Sequence, residues 1–228
     1  GTAGGTLWES RTPPNNHCGK APHLMVRGFS AFGYSGWAIP LEDTVTIDPQ
    51  HLPLLKEAQR IAPKGVKVEY TDGTIIMQAA PTMIHQRNLF HLRRQFDAYC
   101  PAGYVPTENT DLGSPYAAKL RNPDLSYLPD EVMESEGNTA VADLALIAVE
   151  IVSPSNPEND WVAKLADYAV MQIPLYLIVD ARDSTVTLFS EPNHDRYHTR
   201  TDRKFGESIR IPGPFGFDLD LTPLNPYH

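Results

Sequence analysis

Two acids and a lysine stand where a sequence of this texture tolerates charge least easily. The stretch Asp143 to Lys164 reads DLALIAVEIVSPSNPENDWVAK, and its apolar run from Leu144 to Val149 ends on Glu150. Such a run has the character of a strand buried on both faces. A carboxylate at its end loses solvation unless something pairs with it or uses it. Upstream, Pro123-Asp124-Leu125-Ser126-Tyr127-Leu128 is a second short apolar segment that opens with an acid, and downstream of the Ser153-Pro154-Ser155-Asn156-Pro157 turn a helical stretch carries Lys164. Asp124 and Glu150 supply hard oxygen ligands suited to Mg²⁺ or Mn²⁺, and the backbone carbonyl of Ile151 is placed to add another. A cation held there acidifies a bound water and neutralises phosphate charge, while a lysine orients the water or steadies the transition state. The set is that of a metal-dependent phosphodiesterase.

Simpler readings compete for each residue. Lys164 has Asp160 at i−4 and Asp167 at i+3, the spacing of an ordinary surface ion pair. Asp124 follows Pro123 and has the position of a turn cap. Glu69 is either a further acid near the metal or part of a solvated strand face. His85, on an apolar helical stripe, is either a packed core histidine or an accessory group. Arg87, Arg93 and Arg94 have the spacing of a phosphate-binding cluster and equally of a solvated helix face.

The elements that must position these residues can be read from periodicity. Residues 1–45 are rich in Gly, Pro, Asn and His, with no apolar period and no signal-peptide pattern, and are expected to be an irregular or disordered extension to a domain spanning 46–228. Leu52, Leu55, Ala58 and Ile61 recur at helical intervals, with Asp48 as the expected N-cap. Val66 to Tyr70 alternates, Thr71-Asp72-Gly73 turns and Thr74 to Gln78 returns, which predicts a hairpin with Lys67 and Glu69 on one face. Residues 83–100 are expected to form a helix with His85, Leu89, Leu92 and Phe96 on one stripe. Extended segments at 103–112 and 122–128 flank an irregular loop at 114–121. The apolar strand ending on Glu150 comes next, then a helix over 157–172 and strands at 175–180 and 185–190, with 208–211 and 217–221 as closing edge strands. Strand, helix, strand implies a parallel crossover.

Taken as an ordered set, the hairpin V-E-Y-T-D-G-T-I-I-M, the helix opening His85-Gln86-Arg87, P-D-L-S-Y-L, V-E-I-V-S-P-S-N and K-L-A-D-Y…P-L-Y-L-I-V-D resemble the Uma-type restriction-endonuclease family over roughly residues 45 to 221. That family is similar to the PD-(D/E)XK nucleases. The resemblance implies an α/β (α+β) fold with a mixed central sheet flanked by helices, preceded here by an N-terminal helix and β-hairpin. It makes Asp124 the acid of the P-D element and Glu150 the acid of the next strand. Where E-x-K would place a lysine, this chain has Val152, and the resemblance assigns that role to Lys164 on the following helix. It implies DNA as substrate and, by analogy, a homodimer that cuts two strands.

Composition bounds the alternatives. No run of 18 apolar residues spans a membrane, and Cys18 and Cys100 have neither disulfide-framework nor zinc spacing, which fits a reducing cytoplasm. The net charge of −9 opposes a broad electrostatic grip on nucleic acid, so any such contact is local. The expected function is that of a Mg²⁺- or Mn²⁺-dependent DNA endonuclease. The alternative is a catalytically idle nuclease-like domain that binds nucleic acid or a protein partner.

Overall fold

The computed structural model describes residues 46–78 and 80–227. The expectation for residues 1–45 falls outside them. Helix α1 (Leu52–Ile61) buries Leu55 against the first hairpin. It starts later than the Asp48 cap implied: Asp48 instead closes the preceding turn, its Oδ1 accepting from Gln50 N at 2.8 Å. Strands β1 (Lys67–Thr71) and β2 (Thr74–Gln78) pair antiparallel around Asp72-Gly73, both at positive φ. Two left-handed residues give the turn a twist that matches the hairpin, and glycine takes such a φ without steric cost. Helix α2 (Met83–Ala98) is capped by Thr82, whose side chain accepts from His85 N, and buries His85, Leu89, Leu92 and Phe96 as the stripe requires.

From here the chain alternates between two sheets. Strand β3 (Tyr104–Thr107) joins the larger one, and β4 (Asp111–Gly113) and β5 (Lys119–Arg121) join the smaller. Strand β6 (Leu125–Pro129) returns to the larger sheet and β7 (Thr139–Val141) to the smaller. The 114–121 loop and the polar 129–139 segment thus give way to three-residue strands, β5 and β7, too short to show a period. Strands β8 (Ala148–Ile151), β9 (Leu175–Asp180), β10 (Thr185–Asn193) and β11 (Arg196–Lys204) complete the larger sheet. Its order is β11-β10-β9-β8-β6-β3, and that of the smaller is β2-β1-β5-β4-β7. Strands β12 (Ser208–Ile211) and β13 (Phe217–Asp220) form a separate two-stranded sheet. Strand β11 has mostly exposed residues and no apolar alternation, which is why the sequence does not announce it.

Strand β8 is central, antiparallel to β6 and parallel to β9. Its alternation sorts the core. Val149 and Ile151 face α2 and the β12/β13 pair through a cluster with Leu92, Phe96, Phe215 and Leu219. Ala148 faces the other side with Tyr168, Met171 and Tyr176. By the same period Glu150 faces Tyr168 and the helical segment that carries it. That segment is not one helix from 157 to 172. A π-type turn, Asn159–Ala163, precedes α3 (Lys164–Val170). The extra residue in the turn rotates α3 about its axis, a local device that recurs at functional sites.

Candidate active site

Asp124 stands just before β6, where its backbone N–H donates to Val149 O at 3.1 Å and lengthens the pairing with β8 by one residue. Its side chain then takes the place of a backbone acceptor, with Oδ2 accepting from Ile151 N at 2.8 Å. That bond fixes the Asp124 carboxylate beside the strand position of Glu150. Both residues, with Ile151, line one cavity of about 240 Å³ whose walls also include Lys67, His85, Ser155, Asn159 and Asp160. The structure thus brings together the two acids that the sequence singled out.

Asp124 is almost fully occupied by donors. Lys67 Nζ donates to Oδ1 at 2.7 Å, and His85 Nε2 lies 3.2 Å from Oδ2. Burial alone would raise this carboxyl, but the Lys67 ammonium and His85 hold it well below the usual carboxylate range. Glu150 is placed differently. It is 2% exposed, and its Oε1 accepts from Tyr168 Oη at 2.6 Å and lies 2.9 Å from Lys164 Nζ. Burial pushes its carboxyl up to about 8; Lys164 opposes the rise and Asp124 and Asp160 add to it. Burial likewise pushes Asp160 up against the pull of Lys164.

Lys164 is no surface ion-pair partner. It is fully buried, with Nζ 2.9 Å from Glu150, 3.2 Å from Asp160 and 3.3 Å from Glu69. Burial disfavours the ammonium, but these three carboxylates hold its pKa well above normal. The i−4 partner expected from spacing is present, while Asp167 turns away to Arg121 and Lys119. The π-type turn places Lys164 at the start of α3, behind Glu150 as seen from the cavity.

Glu69 is also fully buried, so the solvated-face reading of β1 gives way. Its Oε1 accepts from Asn122 N at 3.1 Å, and its Oε2 accepts from Gln78 Nε2 at 2.9 Å and Arg121 Nη1 at 3.0 Å. Burial would raise this carboxyl, yet Lys164 and Arg121 hold it low. Arg121 in turn donates through Nε to Asp167 Oδ2 at 2.8 Å. A buried charge chain runs from Asp167 through Arg121, Glu69 and Lys164 to Glu150. Arg121, Lys67 and Asp160 carry much of this arrangement, and little in their sequence context points to it. Arg121 lies in the stretch read as a loop. Lys67 and Glu69 do share a face, as alternation requires, but that face points inward.

His85 lies at the cavity wall beside Asp124 rather than in the apolar core. Arg87, Arg93 and Arg94 are exposed along α2, and Arg93 is engaged by Glu108 at 2.7 Å and by Asp97. Residues beyond β13 close the cavity's far side: Asn88 exchanges two hydrogen bonds with the Asn225 backbone, and Tyr227 N donates to Ala181 O while its side chain lines the wall. No helix among the described residues is long and apolar enough to cross a membrane.

Asp124, Glu150 and Asp160 fit a divalent cation by chemistry, since all are oxygen donors facing one cavity and crowding of their charges lifts Glu150 and Asp160. They are not preassembled. Among the described residues no group of three or more His, Cys, Asp or Glu side chains is arranged to hold a metal ion.

Comparison with known proteins adds two findings. The sequence pattern of a family described as "Uma2: Putative restriction endonuclease" matches residues 55–222. Among solved structures, the chain is similar to "a putative nuclease belonging to DUF820 from Anabaena variabilis ATCC 29413", with a TM-score of 0.56 and 14% identity, covering 75% of this chain and 96% of that one. No curated protein gives a significant match. At such low identity the structural likeness speaks to the fold, which is of the same nuclease-like type, with sheets flanked by a few helices.

Proposed function

The chain belongs to the Uma2 family of restriction-endonuclease-like proteins, and from that premise we propose that it is a divalent-metal-dependent phosphodiesterase acting on DNA, with Asp124 and Glu150 as the metal-holding acids. The observation that carries this reading is the convergence of Asp124 and Glu150, from neighbouring segments of the central sheet, on one cavity. A Mg²⁺ or Mn²⁺ ion on these carboxylates, with the Ile151 carbonyl as a further ligand, would lower the pKa of a bound water and neutralise charge on the phosphodiester.

The residues around that position have separable tasks. Ile151 N and His85 orient Asp124 through Oδ2. Tyr168 and Lys164 converge on Glu150 Oε1 and aim its carboxylate. Lys164 acts here through Glu150, as a fixed cation whose own position is set by Glu69 and Asp160. Preorganised charge of this kind costs no rearrangement when negative charge develops in the transition state. Glu69 takes part as the anchor of that cation.

The test is cleavage of plasmid and of short duplex DNA with Mg²⁺ or Mn²⁺ by the wild type, Asp124→Asn and Glu150→Gln. Metal-dependent cleavage that both substitutions lower by ~10²-fold or more supports the proposal. A second reading, a nuclease-like domain that binds nucleic acid without cutting it, draws on the full occupancy of Asp124 by donors. DNA binding without cleavage under every metal condition would favour it.

A further inference from the structure

The cavity holds a lysine that neither the E-x-K pattern nor its relocated form on α3 accounts for. Lys67, the first residue of β1, extends across to the start of β6, where Nζ donates to Asn122 O at 3.0 Å and Asp124 Oδ1 at 2.7 Å. Its side chain is 12% exposed and, unlike that of Lys164, forms part of the cavity wall. An ammonium on a carboxylate and a backbone carbonyl is a cation in a small cage of oxygens. It is held by the one carboxylate oxygen of Asp124 that Ile151 N and His85 do not use.

We propose that Lys67 is a built-in counter-cation which occupies the cation position on Asp124 in the resting site and must be displaced when a divalent ion binds. The inference rests on the metal-dependent reading above and adds to it a competition that sets how much metal the site needs. Competition and charge repulsion act in the same direction. Removing the ammonium while keeping the length of the side chain should therefore tighten metal binding, whereas a lysine that only braced the fold would leave binding unchanged or weaken it. Lys67 is thus a positioning residue for the metal.

The experiment is calorimetric titration of the full chain with Mn²⁺ alone, using wild type, Lys67→Met, Lys67→Gln and Lys67→Arg. The expected result is a dissociation constant lower by on the order of tenfold in the Met and Gln variants, with the Arg variant close to wild type. A second readout needs no substitution. Acetylation of Lys67 in the wild type, read by mass spectrometry, should rise at saturating Mn²⁺ as the ammonium leaves its cage. Should the neutral variants fail to fold, the acetylation result decides alone. Equal Mn²⁺ affinity in wild type and Lys67→Met, or acetylation that saturating Mn²⁺ leaves unaltered, overturns the role of Lys67 while leaving the metal site standing. Failure of every form to bind Mn²⁺ removes the metal-dependent reading itself, and the competition with it.

Discussion

At the scale of single residues, the site is built on charge that has been taken out of water and then answered by other charge. Lys164 is the pivot, since one ammonium faces Glu69, Glu150 and Asp160 within 3.3 Å. Breaking a buried ion pair by removing one partner typically costs ~3–5 kcal/mol, because the remaining charge keeps its desolvation penalty. Lys164→Met is accordingly expected to lower the melting temperature by about 10 °C. Adding Glu69→Gln should recover part of that loss, since it removes one of the stranded carboxylates. Equal melting of wild type and Lys164→Met would return the lysine to the surface-pair role that its spacing to Asp160 suggests. Asp111 offers a pH-dependent counterpart. It is buried next to Asn122, and desolvation pushes its carboxyl up from 3.8 to about 6. A folded-state pKa above the unfolded one means that its contribution to stability is complete below about pH 4 and is lost as the pH rises to about 6. Wild type should therefore lose up to ~3 kcal/mol relative to Asp111→Asn between pH 4 and 7, read from denaturant melts at several pH values. Parallel pH profiles for the two proteins would contradict this.

Secondary elements decide which of these charges meet, and here the sequence was legible in proportion to the length of the periodic run. The hairpin, α2, β9 and the placing of Asp124 and Glu150 at the ends of apolar segments could all be read directly, because each rests on several residues of one period. Strands β5 and β7 could not, since three residues define no period and their pairing depends on partners distant in the chain. Arg121 was hidden with β5. The inward face of β1 was hidden for another reason: Lys67 and Glu69 look like solvent-facing residues until Arg121 and Lys164 arrive from elsewhere to match them. The tight hairpin turn holds that face in register, which makes Gly73 a test at this scale. Gly73 has φ +86°, and a Cβ there would meet the His51 ring at 3.2 Å. Gly73→Ala should cost ~1–2 kcal/mol from the left-handed backbone alone. If β1 positions the site, any metal-dependent activity should fall with it. A variant as stable and active as wild type would show that the register of β1 is set by β5 and not by the turn.

For the molecule as a whole, net charge and the shape of the cavity constrain how a polyanion can approach. The chain carries −9, and the exposed arginines of α2 are few, with Arg93 already engaged by Glu108 and Asp97. DNA retention should therefore fall with salt at a shallow slope, corresponding to about two to four phosphate contacts by counterion release. A slope near ten would mean a basic surface elsewhere in the chain. The fold is that of a nuclease-like protein, and its proposed chemistry requires the two central acids to act together on one cation. The most direct measurement is a thermal melt of wild type, Asp124→Asn and Glu150→Gln with and without millimolar Mn²⁺. A ligand that binds only the folded state raises its stability by mass action, so the wild type should melt at a higher temperature with Mn²⁺, and both variants should lose that gain. A wild type whose melting temperature does not respond to Mn²⁺, or variants that respond as it does, would contradict the shared site.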